Sequence, residues 1–207
     1  MLTDAVTEAK RRQQVYGMLS LLFHEPPARN RVDALAEALP EAEGLLRALE
    51  ESPADAVQQE FYSLFMVPGP AYTTPYESVY ADAGIEANNR VKPRTFGPST
   101  QAVMQFYDRI GLRIEKSYPE LPDFIGLELA CAEYLCAREA AYAEAGEGSH
   151  AERARSLCES FVRTHLSKWI PAFVARITEK ATTAFYRQLA ALALAWVTRE
   201  AGPCAPL

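Results

Sequence analysis

Apolar positions recur along this chain at the three-and-four spacing of a helix face, and no stretch alternates with a period of two for long enough to suggest a strand. The pattern predicts an all-α, single-domain bundle of about eight to ten helices. A first helix over residues 3–23 is stopped by Pro26-Pro27, and a second over 29–39 carries Val32, Leu35, Ala36 and Leu39 on one face before Pro40 ends it. A short helix with Leu45, Leu46 and Leu49 follows. Ser52-Pro53-Ala54-Asp55 then reads as an N-cap, a first-turn proline and an acid, opening a helix that presents Val57, Phe61, Leu64 and Phe65.

The periodicity fails at residue 68. Pro68, Pro70 and Pro75 punctuate a polar and aromatic segment running to Tyr80 that cannot be helical, and Gly84, Pro93, Gly97 and Pro98 extend the interruption. A loop this long is usually functional or disordered. Helix resumes near Ser99 with Val103, Phe106, Tyr107 and Ile110 as its stripe, and Gly111 is placed as its left-handed C′ residue. A connector over 111–123, containing Pro119 and Pro122, reads as a hinge. The next helix, over 123–143, turns Phe124, Leu127, Cys131, Tyr134 and Leu135 inward and breaks at Gly146-Glu147-Gly148-Ser149. Helices over 150–166, 169–178 and 183–198 complete the chain, with 199–207 expected to be a flexible tail.

Composition narrows the function classes. The chain has 207 residues, 49% of them hydrophobic, which is enough for one sizeable core. Its net charge of −6 argues against a nucleic-acid partner and favours basic ones. Cys131, Cys136, Cys158 and Cys204 form no CxxC pair, and the helical ones read as small packed hydrophobes, so reduced thiols and a cytoplasmic location are expected. Lys10-Arg11-Arg12 before the apolar run 15–23 imitates a signal peptide, but Asp4, Glu8, Gln13 and Gln14 interrupt it and no small-residue cleavage site follows. The uncharged run 189–197 is far shorter than the roughly 20 residues of a membrane span, so no stable membrane insertion is expected.

Candidate chemistry is sparse. His24, His150 and His165 are scattered and form no HxxxH or HExxH, so no metal is expected; neither GxxxxGK nor GxGxxG occurs, so no nucleotide cofactor is expected. His165 reads as a helix-end histidine bonded to a nearby carbonyl. Glu77, Glu120, Asp123 and Glu128 form an acidic set whose mutual distances the sequence leaves open. Asp123, directly after Pro122, suits a helix N-cap as well as a binding acid, and Glu128 suits a first-turn position on a solvated face. Tyr72, Tyr76 and Tyr80 recur every four residues around Glu77 and Ser78. Tyr80 reads as a core residue, whereas Tyr76 beside Glu77 reads either as an exposed recognition surface, because tyrosine offers rigid contact area and glutamate pairs with arginine, or as a simple anchor of the loop.

Three blocks together carry a resemblance. Phe61-Tyr62-Ser63-Leu64-Phe65 runs into Pro68-Gly69-Pro70 and Pro75-Tyr76-Glu77-Ser78-Val79-Tyr80. Glu120-Leu121-Pro122-Asp123 is followed by Gly126-Leu127-Glu128-Leu129. Phe161, His165, Leu166, Trp169 and Phe173 form the third. Over residues 10–190 the chain resembles the TorD/DmsD/NarJ family of redox-enzyme maturation chaperones, and within it the TorD/DmsD branch. The resemblance implies an all-helical, non-enzymatic protein. Such a protein binds the twin-arginine signal peptide of an exported molybdopterin oxidoreductase and holds the precursor in the cytoplasm until the cofactor is inserted. It implies peptide-binding roles for Tyr76, Glu77, Ser78, Tyr80 and Asp123, to which Tyr72, Pro75, Glu120, Pro122, Phe124 and Glu128 are added here as neighbours within the blocks. Many relatives have Asp-His where this chain has Asp123-Phe124. No cofactor of its own is expected, and the guanine-nucleotide binding associated with the family finds no phosphate motif here. A monomer or a domain-swapped dimer is expected. Two other readings remain: a small acid/base enzyme using Glu77 and Asp123, and an oligomeric scaffold with no peptide preference.

Overall fold

The computed structural model describes residues 2–82, 84–85, 91–92 and 95–202. Ten α-helices are found among them: α1 (Leu2–His24), α2 (Arg29–Ala38), α3 (Glu43–Glu51), α4 (Ala54–Phe61), α5 (Glu77–Ala81), α6 (Pro98–Ile110), α7 (Ile125–Glu144), α8 (Gly148–Thr164), α9 (Leu166–Lys180) and α10 (Ala184–Ala201). The expected all-α bundle is therefore the fold. Residues 203–207 of the expected tail, with Cys204, lie outside the described residues, and α10 runs on through Arg199 to Ala201.

The long helices α1 and α7 make the most extensive helix–helix interface, and the rest of the bundle is arranged around them. α1 buries Val15, Tyr16, Leu19, Leu22 and Phe23, and α7 buries Leu129, Cys131, Ala132, Leu135 and Cys136. Each fully buried Leu or Phe contributes about 1.5 to 3 kcal/mol relative to exposure, so this pair organises the core. Their close approach near one end needs a glycine. A Cβ on Gly126 would collide with the ring of His24 and with Phe124, and Ser20 Oγ donates to the Gly126 carbonyl at 2.7 Å.

Several boundaries differ from the sequence pattern for local physical reasons. α4 starts at Ala54 with Pro53 as its N-cap, so Ser52 lies one position too early to cap it. Its last residues give way to a π-helical turn over Tyr62–Met66, where the extra residue per turn shifts the apolar stripe. The segment expected to be non-helical does contain a short helix, α5, which opens only after Pro75 is passed. The same loop holds an antiparallel pair of two-residue strands, β1 (Gly84–Ile85) and β2 (Val91–Lys92). His165 alone, at φ −118° and ψ −86°, separates α8 from α9, so no Gly or Pro marks that break. Gly111 does take the left-handed conformation, at φ 75°.

Candidate functional site

The two motif blocks meet. Glu77 N–H donates to the Asp123 carbonyl at 3.0 Å and Ile125 N–H donates to the Pro75 carbonyl at 2.9 Å, which makes a single antiparallel bridge between Tyr76 and Phe124. Asp123 Oδ2 accepts from the Ser78 N–H at 2.9 Å. These contacts cap two helices reciprocally. The first turn of α5 leaves N–H groups free, and Asp123 satisfies those of Glu77 and Ser78; the first N–H of α7 goes to Pro75. Asp123 is thus a cap, as its position after Pro122 suggested, but of a helix 45 residues earlier rather than of its own.

Behind this clasp lies a buried polar cluster. Glu77 is 3% exposed, and Asp123 and Glu128 are fully buried, so the readings of Glu77 as a surface recognition acid and of Glu128 as a solvated first-turn acid are both corrected. His165 Nδ1 donates to Glu77 Oε2 at 2.9 Å, a carboxylate partner rather than the carbonyl expected. Trp169 Nε1 donates to Glu128 Oε2 at 3.0 Å, and the Tyr107 hydroxyl donates to the Pro122 carbonyl at 3.1 Å. Tyr80 stacks on Trp169 at 5.5 Å, the core role expected of it. Ser78 Oγ, Asp123 Oδ1 and Glu128 Oε1 are buried without a hydrogen-bond partner among the described residues.

Burial, reinforced by the negative charge of Glu77, pushes the Glu128 carboxyl well above its ordinary value of 4.5. The folded state therefore keeps a proton there that the unfolded chain releases above about pH 4.5, so this group's contribution to stability is present at low pH and is lost as pH rises. Glu128→Gln mimics the protonated acid permanently. Urea unfolding between pH 5 and 8 should show the variant gaining on the wild type as pH rises, by at most about 1.4 kcal/mol per pH unit. Parallel pH profiles for the two proteins would mean that Glu128 is ionised in the fold.

The solvent side of the clasp is different. Tyr76 is half-buried and its hydroxyl donates to Glu120 Oε2; burial and that carboxylate both raise the pKa of the phenol, which stays a donor at neutral pH. Beside this pair opens a groove of about 330 Å³ whose walls are Phe23, Phe65, Met66, Pro75, Tyr118 and Phe124, with Glu25 and Glu120 at its edge. Met66 and Val67, both more than half exposed, continue its apolar surface outward. His24 of α1 stands edge-on to Phe124 at 4.9 Å.

The expected site residues therefore divide. Pro75, Tyr76, Glu120 and Phe124 reach the groove or its edge, whereas Glu77, Ser78, Tyr80, Asp123 and Glu128 hold it from behind. Pro122 contributes its carbonyl to Tyr107, and the Tyr72 carbonyl accepts from Lys180 Nζ at 2.7 Å. Phe23, His24, Glu25, Phe65, Met66 and Tyr118 were missed as site residues. Of these, Phe65 ends the first run of the first block, Met66 follows it and Tyr118 lies two positions before Glu120, whereas Phe23, His24 and Glu25 had no motif beside them.

The sequence profile described as nitrate reductase delta subunit matches residues 31–175, which is most of the chain and includes all three blocks. The chain belongs to this family, that of the TorD/DmsD/NarJ redox-enzyme maturation chaperones. It is 31% identical over 142 residues to the chaperone protein TorD of Shewanella pealeana, covering 69% of this chain and 58% of that one. It therefore spans little more than half the length of that relative. It is 29% identical to TorD of Shewanella piezotolerans over 90% of this chain and 77% of the relative. A solved structure from Archaeoglobus fulgidus, proposed to be a redox enzyme maturation protein, superposes with a TM-score of 0.57 at 17% identity, covering 90% of this chain and 93% of that one, and shares the fold. In this TorD-like chain the clasp lies within the matched region, while Phe23, His24 and Glu25 of the groove precede it. Among the described residues no group of acids, histidines and cysteines could hold a metal ion, and no helix is long and apolar enough to cross a membrane.

Proposed function

We propose that this chain is a cytoplasmic, non-enzymatic chaperone that binds the twin-arginine signal peptide of an exported molybdopterin oxidoreductase and holds the precursor until its cofactor is in place. The observation that carries the reading is the groove beside the motif clasp: an apolar trough with carboxylates at its edge suits a peptide that joins a cationic N-region to an apolar stretch. In this reading the apolar stretch lies over Phe65, Met66, Pro75 and Phe124, and the arginines meet Glu120 and Glu25. Glu25 is already paired with Arg31 at 2.6 Å, so an incoming guanidinium would replace a partner there, whereas among the described residues Glu120 is bonded to the Tyr76 hydroxyl and to no cation. The clasp acids act indirectly, by fixing Tyr76 and Phe124 in the groove wall. Acid/base chemistry at Glu77 and Asp123 is disfavoured by their burial and by their structural hydrogen bonds.

Calorimetry with a synthetic twin-arginine peptide tests this. Glu120→Gln should weaken binding by about 1 kcal/mol, the upper end for an ion pair open to solvent, with little change in melting temperature. Added salt should weaken the wild type more than the variant, because the attraction is screened over about 8 Å at physiological ionic strength. Affinity unchanged both by Glu120→Gln and by replacing the two peptide arginines would sink the electrostatic part of the proposal.

A further inference from the structure

A second groove, of about 300 Å³, lies between the end of α6, the middle of α7 and the first half of α8. Tyr134, Leu135 and Leu157 form part of its apolar floor, and Arg109, Arg138 and Arg153 stand around it. The three guanidinium groups have no carboxylate partner among the described residues. Arg109 lies over the Phe106 ring at 4.7 Å, and Arg138 lies over Tyr142 at 4.6 Å and donates to its hydroxyl. Elsewhere Arg11, Arg12, Arg29, Arg31, Arg155 and Arg199 are each paired with a carboxylate, while Arg47, Arg113, Arg163, Arg176 and Arg187 have no carboxylate partner among the described residues either; the groove differs in bringing three such cations around one apolar floor. A chain with a net charge of −6 thus leaves three cations unneutralised around one apolar floor.

Two occupants fit that charge, a small anion or an acidic stretch of protein, and the geometry separates them. A small-anion site gathers buried donors on one point, whereas these arginines are exposed on its rim and the floor is apolar. Arginine and tyrosine around an apolar centre is the composition of a protein-binding hot spot. We propose that this groove docks an acidic segment of a partner protein, with an aliphatic or aromatic side chain seated on Tyr134 and Leu157 and flanking carboxylates paired with Arg109, Arg138 and Arg153. The site is separate from the motif groove. Tyr134 and Tyr142 lie 9 and 17 positions beyond Ile125, which opens α7 beside Phe124, so along the helix they are roughly 15 to 25 Å away.

A random twelve-residue peptide library displayed on phage and panned on the full chain tests the proposal. Sequences with Asp or Glu flanking a Leu, Phe or Trp should be enriched. The best of them, made synthetically, should bind the Arg138→Glu/Arg153→Glu double variant about tenfold or more weakly. Both side chains are exposed, so thermal melting should be unchanged; if it is not, Arg153→Gln provides the same comparison with less perturbation. The twin-arginine peptide should bind wild type and double variant alike, so failure here is distinguishable from failure of the signal-peptide reading. Selection of sequences without acids, or equal affinity for wild type and variant, would overturn the proposal. So would release of the selected peptide by millimolar inorganic pyrophosphate at constant ionic strength, which would make this a small-anion site.

Discussion

Trp169→Ala should destabilise the protein by about 3 to 5 kcal/mol, the range for deleting a large aromatic ring from a packed core. The ring is fully buried, stacks on Tyr80 and packs against Phe173 at 5.2 Å, so its removal opens a cavity between α5 and α9. It also supplies the Nε1–H that satisfies Glu128 Oε2; Glu128 Oε1 has no hydrogen-bond partner among the described residues, so the alanine variant takes the donor from the other oxygen of a buried carboxyl. Trp169→Phe separates the two contributions. It keeps most of the packing and loses only the donor, and should cost about 1 to 3 kcal/mol. Urea unfolding of the three proteins measures both. A loss below about 1 kcal/mol for the alanine variant would contradict the packing described here.

Arg12→Ala should be comparably damaging, because it breaks an ion network inside the bundle. Arg12 is 3% exposed; its Nη1 donates to Glu139 at 2.9 Å, its Nε to Glu200 at 2.5 Å and its Nη2 to Cys158 Sγ at 3.6 Å. One side chain of α1 thereby ties α7, α8 and α10. Removing it takes the partner from Glu200 and leaves Glu139 with only the longer contact to Arg155 at 3.9 Å, which costs about 3 to 5 kcal/mol for poorly solvated carboxylates. Replacing Arg12, Glu139 and Glu200 together by Met and Leu should recover most of that loss, since a buried ion pair offsets little more than its own desolvation. The single variant should also respond to pH. Burial already raises the pKa of Glu139 while Arg12 works to lower it, so losing Arg12 lets the carboxyl protonate more readily. The deficit measured by urea unfolding should accordingly be smaller at pH 5 than at pH 7.5. A deficit that grows toward low pH would mean that Glu139 is not left uncompensated.

In sequence, Arg12 looked like part of a basic N-terminal cluster, and nothing local distinguishes it from Arg11, which pairs with Glu8 on the helix surface. Helix caps were equally hard to place. Asp123 caps α5, Glu60 receives the Thr182 hydroxyl and the Thr183 N–H at the start of α10, and Asp82 receives the Ser99 N–H at the start of α6. In each case the acid lies on another element, whereas the capping signals sought along a chain are confined to a few adjacent residues. The groove is the same kind of feature. Its walls come from the end of α1, the π-helical turn, the proline loop and the connector before α7, four segments spread over residues 23–124.

The sequence by itself determined the helical character, most helix positions, the left-handed turn at Gly111 and the family blocks, because helix periodicity and turn chemistry are properties of residues a few positions apart. The tertiary structure alone decided which motif residues face solvent. Glu77 meets His165 across 88 positions and Glu128 meets Trp169 across 41, and a carboxyl stays buried only where the fold delivers such partners. The same motif spelling would accommodate an acidic surface patch, and it is these long-range hydrogen bonds that turn Glu77, Asp123 and Glu128 inward and leave Tyr76 and Glu120 at the groove.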